Sequence, residues 1–243
     1  RPPTLAQAPA TASFMVEGVR LLDGSGRPAV ANGAFLVQDG RIAAVGSAGQ
    51  LRAPAGVRVL DLAGKTVIPA LIDGHSHIGY MKGLTSGAEN YTRENILDHL
   101  RRMAYFGVGA TQAMGSDFGE LPFAIRDETA AGRDPDAARF LTAGRGLAPL
   151  SEISADNMRQ AAYPVTTAEG ARGSVQELAA RHVPIVKTWV DDRGGTVRML
   201  EPQIVSAIFD EAHRHGLRVA VHATDPAVAK GLLDAGIDIF AHM

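Results

Sequence analysis

Residues 184–242 read PIVKTWVDDRGGTVRMLEPQIVSAIFDEAHRHGLRVAVHATDPAVAKGLLDAGIDIFAH, and the changes of apolar period along them decide the fold. Pro184–Val190 is a short apolar run bounded by Pro and Asp, the form of a covered strand. Pro202–His215 carries apolar residues at three- and four-residue spacing and stops at Gly216, which predicts a helix with a glycine cap. Leu217–His222 is strand-like again, Pro226–Ala235 helical, and Ile237–Ala241 strand-like. This alternation predicts βαβ crossovers and therefore a parallel sheet.

The same rhythm runs back to Thr66. Val67–Ile72 is a continuous apolar run, and Ile96, Leu97, Leu100, Met103 and Ala104 recur at helical spacing. Val108–Met114 and Phe140–Ala143 are expected as strands and Phe118–Ala131 as a helix. Thr166-x-x-Glu169 has the form of a capping box opening a helix through Arg181. Six units of about 30 residues each fill residues 67–243. An eight-unit barrel at that rate needs roughly 60 residues more. The expectation is an α/β fold: an incomplete (β/α)8 TIM-like barrel of about six of eight units.

Residues 14–66 have another texture. Val16–Leu22, Ala34–Gln38, Arg41–Val45 and Val57–Leu62 read as short strands, and Asp39-Gly40 is a strong two-residue hairpin signal. A small antiparallel sheet, the N-terminal part of a β-sandwich, is expected. Residues 1–13 are rich in Pro and Ala and are expected to be a disordered tail or the remnant of a signal peptide. Ala6-Gln7-Ala8 has the small-x-small form of a signal-peptidase site, which hints at periplasmic or secreted location; no leader precedes it, so a cytoplasmic location stays open. Asp238–Met243 has the look of a buried strand without a closing turn, so the 243 residues are expected to be part of a longer enzyme.

Composition narrows the function. The 24 Lys and Arg nearly balance the 26 Asp and Glu, which removes the electrostatic footprint of a nucleic-acid partner. No apolar run approaches the roughly 18 residues of a membrane span. Without Cys, thiolate zinc sites, iron–sulfur clusters and Cys nucleophiles are excluded, and any metal must be held by His, carboxylate or modified Lys.

Four of the eight His occupy one class of position. His75 and His77 follow the first predicted barrel strand, His222 ends the fifth and His242 the sixth. Parallel barrels build their active sites at these C-terminal strand ends. Alternate residues of an extended segment share a side, so His75 and His77 can face one ion. Metal ligation by all four is the expectation. His99, His182, His213 and His215 fall on or beside predicted helices in charged company and are expected to be solvated. Lys187, mid-strand among apolar residues, reads two ways: a buried stem with a snorkelling ammonium, or a ligand or covalent amine near the barrel mouth.

These residues carry a resemblance. The text Leu36-Val-Gln-Asp-Gly-Arg-Ile-Ala-Ala-Val-Gly46 and Asp61-Leu-Ala-Gly-Lys-Thr-Val-Ile-Pro-Ala-Leu-Ile-Asp-Gly-His-Ser-His77, with Val186-Lys187, Val219-Ala-Val-His222 and Asp238-Ile-Phe-Ala-His242, resembles the amidohydrolase superfamily. It is similar above all to the imidazolonepropionase-like and Xaa-Pro-dipeptidase-like members. The resemblance implies two divalent ions, usually zinc. On that pattern His75 and His77 bind the more buried ion, His222 and His242 the second, and a carboxylated Lys187 bridges both. It also implies hydrolysis of an amide or peptide-like C–N bond by water activated between the ions. The general acid–base Asp of the family belongs after an eighth strand and is expected beyond Met243; Asp73, Asp191, Asp192 and Asp225 stand in the wrong positions for it.

Substrate contacts are less legible. Arg145, Tyr163 and Trp189 lie at or near predicted strand ends and are the candidates, with Arg145 suited to a substrate carboxylate. A small-molecule or dipeptide-like substrate is expected, and an open barrel edge leaves room for a homo-oligomer. Two rival readings stay open: an ester or organophosphate hydrolase on the same scaffold, and a non-catalytic barrel homologue.

Overall fold

The computed structural model describes residues 13–150 and 161–242. All but Ser13 of the expected tail, the Ala6-Gln7-Ala8 motif and Met243 lie outside them. The chain divides into two compact units between Leu71 and Ile72, a few residues beyond the expected 66/67 boundary.

The first unit holds β1 (Phe14–Leu21), β2 (Val30–Gln38), β3 (Arg41–Ser47), β4 (Arg58–Asp61) and β5 (Thr66–Val67). β1, β2 and β3 form an antiparallel meander. The turn joining β2 to β3 is Asp39-Gly40, with φ of 50° and 72°. Positive φ at both central residues matches the twist of a two-residue hairpin, which is why Asp-Gly succeeds there. The expected antiparallel sheet needs correction at its other side, where β4 and β5 both pair parallel to β1. Residues 48–57 carry the chain back before β4 begins, so β4 runs in the direction of β1. Met15, Ala34 and Leu36 pack on one face of this sheet and Val16, Val19 and Leu21 on the other.

The second unit alternates strands with helices. Its strands are β6 (Leu71–Ser76), the short hairpin β7 (Met81–Lys82) and β8 (Thr85–Ser86), β9 (Val108–Ala113), β10 (Arg139–Thr142), β11 (Leu147–Ala148), β12 (Tyr163–Pro164), β13 (Ile185–Trp189), β14 (Arg218–His222) and β15 (Ile239–His242). Among the described residues its helices are α1 (Arg93–Tyr105), α2 (Leu121–Ala130), α3 (Ala168–Ala180), α4 (Pro202–Arg214) and α5 (Pro226–Asp234). One sheet runs β10-β9-β6, another β12-β11-β13-β14-β15. The pairings β10–β9, β11–β12, β11–β13, β13–β14 and β14–β15 are all parallel.

Period-two alternation sorts the strand residues. Val186, Val219 and Val221 pack against Val175, Leu178, Ile204, Ile208 and Phe209 of α3 and α4. Ile185, Ala220 and Ile239 pack with Met114 and Ala143 instead. Lys187 follows Ile185 by two residues and so belongs to this second face, turned away from the helices.

Three local expectations are corrected. The first strand of the unit is Leu71–Ser76, not Val67–Ile72, and Ile68, Leu71 and Ile72 are exposed; Pro69 lacks the N–H that a continuous strand needs. The cap of α3 is Thr167, whose hydroxyl accepts the Gly170 N–H at 3.1 Å, rather than Thr166. β15 is half-buried rather than buried, with His242 exposed.

Candidate metal centre

β6 carries His75, and His77 stands one residue beyond its end. The extended backbone throws both imidazoles to one side and Ser76 to the other, where its Oγ accepts a hydrogen bond from the buried Thr111 hydroxyl at 2.7 Å. His75 Nε2 and His77 Nε2 lie 3.1 Å apart. In parallel register, β13, β14 and β15 bring Trp189 opposite His222 and His222 opposite His242. His222 Nδ1 stands 2.9 Å from His242 Nε2. The His242 ring stacks on His75 with centroids 5.3 Å apart, so the two pairs form one cluster.

Each pair is spaced for a shared cation. Two ligands at about 2.0–2.1 Å from a tetrahedral zinc are themselves about 3.3 Å apart. The observed separations of 3.1 and 2.9 Å approach that edge, so the donor sets fit a metal two by two. No group of three or more His, Asp or Glu side chains able to hold an ion occurs among the described residues.

Lys187 has no exposed surface. Its stem is cradled by Gly115: a Cβ there would come within 2.8 Å of Lys187 Cγ and 3.0 Å of Trp189 Cη2. Gly115 also has φ of +86°, so glycine is required twice over. Burial, and next the Lys187 charge, push the His75 imidazole below its ordinary value of 6.5. A neutral imidazole is the metal-binding form.

Further groups orient the rings. Ser116 Oγ lies 2.5 Å from His77 Nδ1, and the Ala241 carbonyl 3.4 Å from His75 Nδ1. Asp191 Oδ2 lies 3.2 Å from His222 Nε2 and also accepts from the Thr224 hydroxyl. Burial alone would raise the Asp191 carboxyl, but the Thr224 hydroxyl, the Arg193 N–H and His222 outweigh it and hold it below its ordinary value. Beside Ser116, Asp117 is buried and accepts from Tyr91 Oη at 2.7 Å and from the Thr142 hydroxyl. Burial pushes this carboxyl up to about 6, against the pull of those two hydrogen bonds. Sequence reasoning missed Ser116, Asp117 and Thr224, and it set Asp191 aside. The signal available was position after a strand end, which does not say where a side chain turns.

Similarity to known proteins agrees with this geometry. Residues 33–53 match the imidazolonepropionase-like composite domain of bacteria. An enamidase of Eubacterium barkeri is 27% identical over 191 residues, 77% of this chain and 43% of the enamidase. An N-acyl-D-aspartate deacylase of Alcaligenes xylosoxydans xylosoxydans is 45% identical over 74 residues, 30% of this chain and 14% of the deacylase. A solved Bifidobacterium longum protein assigned as a prolidase is 26% identical with a TM-score of 0.77, covering 95% of this chain and 54% of its own. These similarities support a place for the chain in the amidohydrolase superfamily. The chain spans less than half the length of the curated relatives it matches.

The residues expected to meet substrate have structural partners as well. Arg145 donates from Nε to the Ala161 carbonyl at 2.6 Å and from Nη2 to that of Ala162 at 3.0 Å, with its guanidinium 4.0 Å from the Tyr163 ring centroid. Burial and then Glu177 raise the Tyr163 phenol above its ordinary value. Trp189 is buried beside Ala148 and Ala162. The four remaining His stand apart from the cluster: His182, His213 and His215 are exposed, as expected, whereas His99 is half-buried. His99 Nδ1 accepts the Gly79 N–H at 3.1 Å, His213 pairs with Asp238 at 2.9 Å, and His215 lies 3.4 Å from Glu211. Asp73 accepts the His75 N–H, Asp192 the Gly194 N–H, and Asp225 caps α5. No helix among the described residues is long and apolar enough to cross a membrane.

Proposed function

We propose that this chain forms the metal-binding part of a hydrolase that cleaves amide or peptide-like C–N bonds. The observation that carries the reading is the pairing of four imidazoles, at 3.1 and 2.9 Å, on strand ends beside the buried Lys187. His75 and His77 would hold one divalent ion and His222 and His242 a second. Zinc suits imidazole donors. Lys187, carboxylated, would supply the third ligand to both pairs, which answers the absence of any His, Asp or Glu trio among the described residues. The chemistry supports this: a buried ammonium is costly and repels cations, whereas its carbamate attracts them. Ions bound there would contribute Lewis acidity, lowering the pKa of water from 15.7 to about 7 and polarising a carbonyl.

The chain's own residues would perform the remaining tasks. Ser116 and Ala241 fix the His77 and His75 rings, and the Gly115 cradle holds the Lys187 stem in place. Arg145 and Tyr163, stacked on each other, and Trp189 would wall the substrate cleft. The prolidase, enamidase and deacylase names among the similar proteins favour a small amide or dipeptide-like substrate. The β/α units would then be six of the eight of a (β/α)8 barrel, which places the cluster at its C-terminal face.

Metal analysis of protein purified without chelators, followed by assays on Xaa-Pro dipeptides and N-acyl amino acids, tests the proposal. Two divalent ions per chain and loss of turnover on chelation are expected. A metal-free protein that zinc, cobalt and manganese all fail to activate would end it.

A further inference from the structure

We propose that Asp191 is a positioning residue for the metal centre, selecting which nitrogen of His222 faces the ion; the proposal rests on the metal reading above. His75, His77 and His242 turn Nε2 toward a partner imidazole, whereas His222 turns Nδ1. Presenting Nδ1 requires that Nε2 point away and keep the proton. An ionised carboxylate only accepts hydrogen bonds, so Asp191 Oδ2, 3.2 Å from His222 Nε2, fixes the proton there and leaves Nδ1 with its lone pair.

The carboxylate is itself held. Thr224 donates its hydroxyl to the same oxygen, and the Arg193 N–H donates to Oδ1 at 2.5 Å. Arg193 has φ of +49°, so this tight turn adopts the left-handed region to make its contact. The main chain is tied as well, since the Val190 N–H donates to the His222 carbonyl at 2.9 Å. Carboxylate and imidazole therefore ride on one rigid strand pair. Without Asp191 a half-turn about the outer side-chain bond of His222 would exchange Nδ1 for a carbon and remove the ligand. The position lies four residues past Lys187, so β13 and the turn after it would furnish both a ligand and the orienting group of the neighbouring strand's ligand.

The test is zinc affinity of the metal-free chain by chelator competition, with 15N spectra of its imidazoles. Asp191→Ala is expected to weaken zinc binding about 10–100-fold, the usual cost of losing such an outer partner. In the metal-free protein His222 should show a single Nε2–H tautomer, and in Asp191→Ala an exchanging mixture. Asp191→Asn keeps an acceptor oxygen and should lose less than Asp191→Ala. If the alanine variant does not fold, the near-isosteric Asp191→Leu, which has no acceptor, is decisive, and parental affinity in it overturns the proposal. Parental zinc affinity in a folded Asp191→Ala, or an unchanged His222 tautomer, overturns it too while the metal reading stands. A parent protein that takes up no zinc overturns both readings together, and that result is visible before any variant is made.

Discussion

Replacing Asp117 by Asn should flatten the pH dependence of stability. In the folded chain the carboxyl is buried and titrates near 6, against an ordinary value of 3.8. Its pKa is raised on folding, so the native state holds the proton over a range where the unfolded chain has lost it. Stability from this group is therefore fully present below the unfolded value and is lost as pH rises through about 6. The gap corresponds to about 3 kcal/mol, of which about 2–3 kcal/mol falls between pH 4 and pH 7. The asparagine side chain would not titrate. Its single acceptor oxygen cannot serve both the Tyr91 and Thr142 hydroxyls, so a pH-independent loss of about 1 kcal/mol accompanies the change. Urea unfolding of parent and Asp117→Asn at pH 4, 5, 6 and 7 measures the difference, in which the opposed effects of Asp191 and Asp238, whose carboxyls lie below their ordinary values, cancel. The parent's advantage over the variant should shrink steadily and level off near pH 7. Parallel pH profiles for the two proteins would refute the argument that burial dominates at Asp117.

Gly146→Ala should cost about 1–3 kcal/mol by overpacking, because the new Cβ would come within 2.3 Å of Trp189 Cζ3; a melting temperature lowered by roughly 2–4 °C per kcal/mol checks it. Lys187→Ala should remove bound metal from at least one position and abolish turnover, with partial recovery on adding a short carboxylate; metal analysis showing two ions per chain in the variant would return Lys187 to a packing role. Arg145→Lys should lose the stacked contact with Tyr163 and at least one carbonyl bond, lowering stability by about 1–2 kcal/mol in denaturant unfolding.

Much of the His cluster was legible in one dimension because its imidazoles sit at positions that local periodicity defines. His75-Ser76-His77 is an alternation, and alternation alone puts two rings on one side of an extended chain. His222 and His242 close apolar runs whose strand character depends only on neighbouring residues. The same local logic placed α1 through α5 and the Asp39-Gly40 hairpin.

What sequence pattern could not carry is the pairing of groups distant along the chain. The parallel entry of β4 and β5 beside β1 depends on the path of residues 48–57, and no period in the text encodes it. Ser116 meets His77 across 39 residues and Asp191 meets His222 across 31, contacts created by strand register. Arg145, read as suited to a substrate carboxylate, donates to main-chain carbonyls 16 and 17 residues away. Side-chain type and period determine which residues can ligate and which face they share. Which nitrogen each imidazole offers, and whether a carboxyl such as Asp117 is buried, depends on long-range packing, because hydrogen bonds and desolvation are set by whatever neighbours the fold brings within about 3 Å.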